Sequence, residues 1–122
     1  MAVNLLTPVV SKALDGLFMR QQAQVHNIAN ASSPGFRPVR VSFEDALQQA
    51  VALAESGNSA AALDKLAAAV PQMSAPSLAP GDSFRLDLEV SKVNETSTQY
   101  SMLIGMLDRS NQLKQLAITG GR

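Results

Sequence analysis

The stretch that decides the fold is Asn27-Ile28-Ala29-Asn30-Ala31-Ser32-Ser33-Pro34-Gly35-Phe36. It closes a long amphipathic pattern with a hard stop. Pro34 disfavours the helical region for Ser33, so a helix entering from the N-terminal side must end by about Ala31. Pro34 and Gly35 then fit the two central positions of a type II turn, where Gly takes the positive φ. Asn27 and Asn30 are placed to satisfy helix-end or neighbouring backbone groups. A plain connector has no use for such detail, so function is to be sought here first.

Upstream, Thr7-Pro8 reads as a helix start, with Thr7 as N-cap and Pro8 at the first helical position. Val10, Leu14, Leu17, Gln21, Val25 and Ile28 follow at spacings of four and three, one face of an α-helix. Ala13, Phe18 and Ala29 widen that face, whereas Lys12, Asp15, Arg20 and Gln24 lie mostly off it. Gly16 weakens the helix by about 1 kcal/mol relative to Ala.

Downstream, Val39, Val41 and Phe43 alternate with Arg40 and Ser42, a short extended segment that Pro38 confines to an edge or leaves unpaired. Ser42 is expected to cap a second, shorter helix with Glu44 and Asp45 in its first turn. Phe43, Leu47, Ala50, Val51 and Ala54 form its apolar side. Residues 56–83 hold Gly57, Gly81, Pro71, Pro76, Pro80 and many Ala and Ser. They read as a flexible connector carrying at most one weak helix, Ala60 to Val70, with little to bury and no site.

In the last third, Leu86, Val93, Tyr100 and Leu107 repeat at seven, and Val90, Ser97, Ile104 and Asn111 repeat at seven beside them. This is a heptad seam over about three repeats. Past Met106 the apolar positions move to Leu113, Leu116, Ala117 and Ile118. Asp87 is the expected cap and Gly120-Gly121 the stop.

The expected fold is all-α: two long terminal amphipathic helices packed as an antiparallel coiled-coil hairpin. Its parts are an N-terminal helix (1–31), a turn and extended segment (32–43), a short helix (44–55), the connector (56–83) and a C-terminal coiled-coil helix (84–122), one structural unit. Leu14, Leu17, Val25 and Ile28 are expected to pack against Val93, Tyr100, Ile104 and Leu107, with Val90 in the same seam. A seam of this width leaves apolar surface over for further partners.

Composition narrows the function. Ten basic and ten acidic side chains balance, without the basic field of a nucleic-acid binder. There is no Cys and no Trp, so neither thiol chemistry nor a ring-filled core is available. No stretch approaches the ~20 apolar residues of a membrane span, and the N-terminus lacks the pattern of a cleaved signal peptide. His26 is the single histidine and reads as a helix-surface or seam residue. Neither a nucleophile elbow nor a phosphate-binding loop is present. Glu89, Glu95, Asp108, Lys92, Arg109 and Lys114 are spaced as a solvated helix face. No enzyme, cofactor, metal or small-molecule substrate is expected.

The run Val25-His26-Asn27-Ile28-Ala29-Asn30 through Ser33-Pro34-Gly35-Phe36-Arg37 resembles the N-terminal signature of the bacterial flagellar axial proteins, the rod, hook and hook-associated subunits. Asn27, Ile28, Ala29, Asn30, Pro34, Gly35, Phe36 and Arg37 match that pattern; Ser33 stands where Thr is usual. The flanks Ala13-Leu14-Asp15-Gly16-Leu17, Arg20-Gln21-Gln22 and Val41-Ser42-Phe43-Glu44-Asp45-Ala46-Leu47 resemble the short proximal-rod members. So do Asn94-Glu95, Gln99-Tyr100, Leu103 to Leu107 and Leu116-Ala117-Ile118. The resemblance covers roughly residues 10–50 and 86–119.

That resemblance implies a structural subunit of the basal-body rod, in the periplasm, exported by the flagellar type III apparatus without a cleaved signal. It implies self-association and contact with other rod proteins, a ring–rod junction adaptor and the membrane-embedded ring. It also implies terminal helices that gain order on assembly. A cytoplasmic helical-hairpin adaptor or secretion chaperone fits composition and heptads equally. Within the family, the other short proximal-rod protein is the alternative.

Overall fold

The computed structural model describes residues 3–75 and 83–120. Among them are α1 (Val3–Ala29), β1 (Arg40–Ser42), α2 (Glu44–Glu55), α3 (Ser59–Ala68), β2 (Gln72–Ser74) and α4 (Leu86–Gly120). The fold is mostly helical, with α4 packed on α1 and, among the described residues, two short strands. None of the described helices is long and apolar enough to cross a membrane.

The central element is α1. Pro8 lies inside it rather than at its start, because the helix already begins at Val3. One missing N–H near the end of a 27-residue helix is tolerable when tertiary packing holds the rest. One side of α1 carries α4; α2 and α3 pack on it elsewhere, and on each other. Leu17, Ala23, Val41 and Phe43 make the core cluster, with Ala13, Met19, Val39, Leu47, Tyr100 and Leu103 packed against it. Gly16 belongs to this core: a methyl group there would overlap the Phe43 ring. Its low helix propensity is the condition for seating that ring on α1.

The seam between the long helices differs from the expected one. Along α4 the covered positions are Glu89, Val93, Thr96, Tyr100, Leu103, Leu107 and Ser110, spaced alternately four and three. Every other described α4 side chain is exposed. Val93, Tyr100 and Leu107 therefore lie in the seam, but Val90 and Ile104 do not; each is 45% exposed. Glu89, Thr96, Leu103 and Ser110 take the second heptad position. Three of these four are polar, which hides the series from a reading of apolar periodicity. On α1 the matching row is Leu6, Val10, Ala13, Leu17, Arg20, Gln24 and Asn27, again at fours and threes. Leu14 and Ile28 are half-buried beside it, whereas Val25 and Phe18 are each 53% exposed. Lys114 Nζ reaches Thr7 Oγ1 at one end of the seam, 3.5 Å, and Asn27 meets Glu89 at the other.

Residues 59–74 carry more structure than a connector with little to bury. Asn58 caps α3, its Oδ1 accepting from the Ala61 N–H at 3.1 Å. Ala62 and Leu66 are among the most buried residues of the chain. β2 pairs antiparallel with β1 in the register Arg40 to Ser74, Val41 to Met73 and Ser42 to Gln72. The expected connector's residues 76–82 lie outside the described residues. Two caps also differ. Phe43, not Ser42, precedes α2 as its N-cap and makes no side-chain capping bond. Asp87 lies inside the first turn of α4, paired with Arg85 at 2.6 Å. The helix runs through Gly120, and Gly121 lies outside the described residues.

Candidate functional site

The motif residues Asn27–Arg37 lie at one corner, where α1 ends, the chain turns, β1 begins and α4 starts; the packing residues Leu14, Leu17, Val25, Val90, Val93, Tyr100, Ile104 and Leu107 are spread along the two long helices. Regular helix stops at Ala29 and tightens through two three-residue closures, Ala31 N–H to the Ile28 carbonyl and Ser33 N–H to the Asn30 carbonyl. Asn30 turns its side chain back and donates to the His26 carbonyl at 2.8 Å, a second bond to an oxygen that already accepts the Asn30 N–H at 3.1 Å. The four residues Ser33–Phe36 close with a 3.2 Å bond from the Phe36 N–H to the Ser33 carbonyl, and Gly35 takes φ +68°. Ser33, Pro34 and Gly35 are exposed at the tip of the turn.

Asn27 does the opposite of a solvated helix-end residue. It is wholly buried. Its amide pairs with Val39 as a strand neighbour would: the Val39 N–H donates to Oδ1 at 2.8 Å, and Nδ2 donates to the Val39 carbonyl at 2.9 Å. Nδ2 also donates to Glu89 Oε2 at 2.6 Å. Glu89 in turn accepts from Arg40 Nη1 on both oxygens at 2.9 Å. One side chain of α1 thus fixes the path of the returning chain and anchors the first turns of α4. Ile28 and Ala29 only complete the last helical turn.

A second charged pair holds the other end of β1. Arg20 donates to both oxygens of Glu44, at 2.5 and 2.8 Å, and to the Val41 carbonyl at 2.7 Å. Its guanidinium lies over the Phe43 ring, 4.7 Å from the centroid. Hydrogen bonding to Arg20, with its positive charge beside the carboxylate, holds the Glu44 carboxyl below its usual range against partial burial. The Val39 N–H and carbonyl and the Val41 carbonyl are thus met by α1 side chains.

Phe36 extends the corner to the segment just ahead of α4. Its ring meets Phe84 edge-on with centroids 5.7 Å apart, and His26 stands 6.1 Å away on the other side. Arg37 donates to the Ala75 carbonyl just past β2. His26 is exposed and has only Asn30 Nδ2 near its ring nitrogen, at 3.3 Å. Among the described residues no group of three or more His, Asp or Glu stands together as a metal site.

Arg20, Arg40, Gln24, Thr96 and Glu89 are the members of this corner that sequence reasoning passed over or placed in solvent. Glu89 was expected on a solvated face and is 1% exposed. The available signal was positional: Glu89 precedes Val93 by four and continues the series Thr96, Tyr100, Leu103 and Leu107. Beside the corner lies a half-open cavity of about 370 Å³, lined by Arg20, Gln24, Arg40, Lys92, Glu95 and Thr96 among others. Gln24 Oε1 is buried there without a partner. Arranged this way, the groups orient and lock helices. No protein-family model matches the chain, and no curated protein matches it.

Proposed function

We propose that this chain is a structural subunit of the bacterial flagellar rod, of the proximal-rod type FlgB. It would polymerise in the periplasm after type III export without a cleaved signal. The observation that carries the reading is the corner itself. Of the residues matching the axial-protein signature, Asn27 ties α1 to α4 through Glu89, and Phe36 in the turn packs on Phe84 just ahead of α4. Such ties suit a protein whose two terminal helices work as one unit. The two ends of the seam, Thr7 with Lys114 and Asn27 with Glu89, support an antiparallel hairpin.

The mechanism is assembly. α4 presents Met102, Ile104, Met106, Leu113, Leu116 and Ile118 outward, each at least 45% exposed. Surfaces of this kind are partner surfaces, here for copies of the chain, other rod proteins and the ring–rod adaptor beneath them. Repeated around a tube, such seams make a shaft that transmits torque. The bare face of α4 equally suits a cytoplasmic adaptor or secretion chaperone, and one experiment separates the two. Basal bodies from a deletion strain are imaged by electron microscopy, and a tagged copy is localised. Rings without rods, and the tag in purified basal bodies, are expected. Complete rods in the deletion strain would overturn the proposal, and a tag confined to the cytoplasm would favour the adaptor.

A further inference from the structure

We propose that the half-open cavity between α1, β1 and α4 is a binding site for a primary carboxamide, either the side-chain amide of a polypeptide or a small free amide. The site does not depend on the rod reading.

The cavity holds about 370 Å³, and two of the side chains lining it are nearly closed to water, Gln24 at 5% and Thr96 at 3% exposed. Gln24 Oε1 accepts no hydrogen bond. A buried acceptor without a donor is costly, and most buried polar side chains have at least one partner. The neighbouring members of the same seam obey that rule. Asn27 uses both poles of its amide, and Glu89 accepts on both oxygens. Gln24 is the exception, and it stands on a cavity wall.

The lining selects the chemistry of the occupant. A carboxamide carries a donor and an acceptor on one planar group, so a second carboxamide pairs with Gln24 through both poles. The carbonyl oxygen of the occupant has a donor across the cavity. Arg40 gives Glu89 only Nη1, which leaves Nε and Nη2 without a hydrogen bond among the described residues. Charge points the same way. Arg20 and Arg40 are each neutralised by a carboxylate, Glu44 and Glu89. Lys92 and Glu95, which also line the cavity, are opposite in sign and have no ion-pair partner among the described residues. An anion entering here meets Glu44 and Glu95, and a cation meets Arg20, Arg40 and Lys92. Neither recovers what it loses on leaving water, whereas a neutral dipole uses both signs.

The test is a titration of the full ¹⁵N-labelled chain, followed by NMR at the Gln24 side-chain NH₂ and the Thr96 backbone N–H. The probes are propionamide, butanone (the same shape without N–H donors), propionate, and the blocked peptide acetyl-Gly-Gln-Gly-methylamide. Saturable shifts with propionamide are expected at a Kd of about 1–10 mM, at least about tenfold tighter than with butanone or propionate. A peptide that binds tighter than propionamide identifies a polypeptide as the source of the amide. A peptide that binds no tighter identifies a small free amide. Gln24→Met keeps the volume and removes the amide. It should lose the propionamide response at Thr96 and keep a thermal midpoint at or above the parent's, because an unpaired oxygen has been replaced by an apolar group. Butanone binding as well as propionamide, no saturable response to propionamide or the peptide, or a folded Met variant that binds like the parent would each overturn the site. Should the variant fail to fold, the comparison of propionamide with butanone in the parent chain decides by itself.

Discussion

At the residue scale, identity matters most where a general rule and the local packing disagree. Gly16 and Gly105 are both helical glycines, and replacing a helical Gly by Ala ordinarily stabilises by about 1 kcal/mol. At Gly105 a methyl group meets nothing within 4 Å, so Gly105→Ala should stabilise the monomer by roughly that amount. At Gly16 the methyl collides with a ring that Arg20 also holds. Overpacking costs about 1–3 kcal/mol, which exceeds the propensity gain. Gly16→Ala should therefore destabilise, and urea midpoints of the two variants should move in opposite directions. The Arg40–Glu89 pair is asymmetric in burial: the carboxylate is 1% exposed and the guanidinium side chain 38%. Arg40→Ala leaves a buried charge uncompensated, a loss of about 3 kcal/mol or more. Glu89→Gln leaves a cation that water can still reach, and it should cost less. The reverse order in denaturant titrations would contradict the buried clasp. Glu44 has a carboxyl lowered by its bond to Arg20, so the unfolded chain binds its proton at higher pH than the folded one. The stability it contributes is full above the ordinary value of 4.5 and is lost as pH falls through the lowered one. Glu44→Gln should flatten that acid limb of the stability profile relative to the parent chain.

At the element scale, the turn shows how much of the corner was legible. Helix stop, positive-φ Gly and alternating strand are all dictated by short-range sterics, and Pro34, Gly35 and Val39–Phe43 display them in the sequence. Since nothing lies within 4 Å of where a Gly35 Cβ would be, only backbone conformation penalises a substitution. Under the proposed rod function, Gly35→Val should impair rod assembly and motility, while Gly35→Asn, which tolerates the left-handed region, should retain both. Normal motility of the Val variant would remove the turn from the mechanism. The seam was legible only where it is apolar. Val93, Tyr100 and Leu107 announce their heptad, but Thr96 looks like a solvent residue, as does Glu89 until Arg40 and Asn27 are brought to it. Nothing local marks a carboxylate as buried when its partners lie 49 and 62 residues away. Likewise α3 was discounted because Ala62 and Leu66 are weak signals alone. Small side chains at a helix contact let backbones approach closely, a property of the pair of helices and not of either sequence.

At the scale of the whole molecule, the chain exposes 8045 Å² of surface. A compact protein of 12.9 kDa exposes about 6300 Å². The excess, about 1700 Å², is roughly twice what one partner loses in a standard interface. Much of the apolar surface sits on α4, whose described residues beyond Ser110 are all exposed. A helix end without packing is marginal in water, so the last turns should show fast amide exchange in the monomer and slow exchange after association. Leu113 and Leu116, 55% and 64% exposed, bury little within their own chain. Replacing both by Ser should leave the monomer's thermal midpoint nearly unchanged. Within an oligomer each would be buried, and burial of a Leu side chain is worth about 1.5–3 kcal/mol. The double variant should thus weaken association by at least about a hundredfold in sedimentation or light scattering. An unchanged association constant would mean that copies meet elsewhere. A collapsed monomer would mean that the outer face of α4 is folded against its own chain, and the surface excess would then not be an interface.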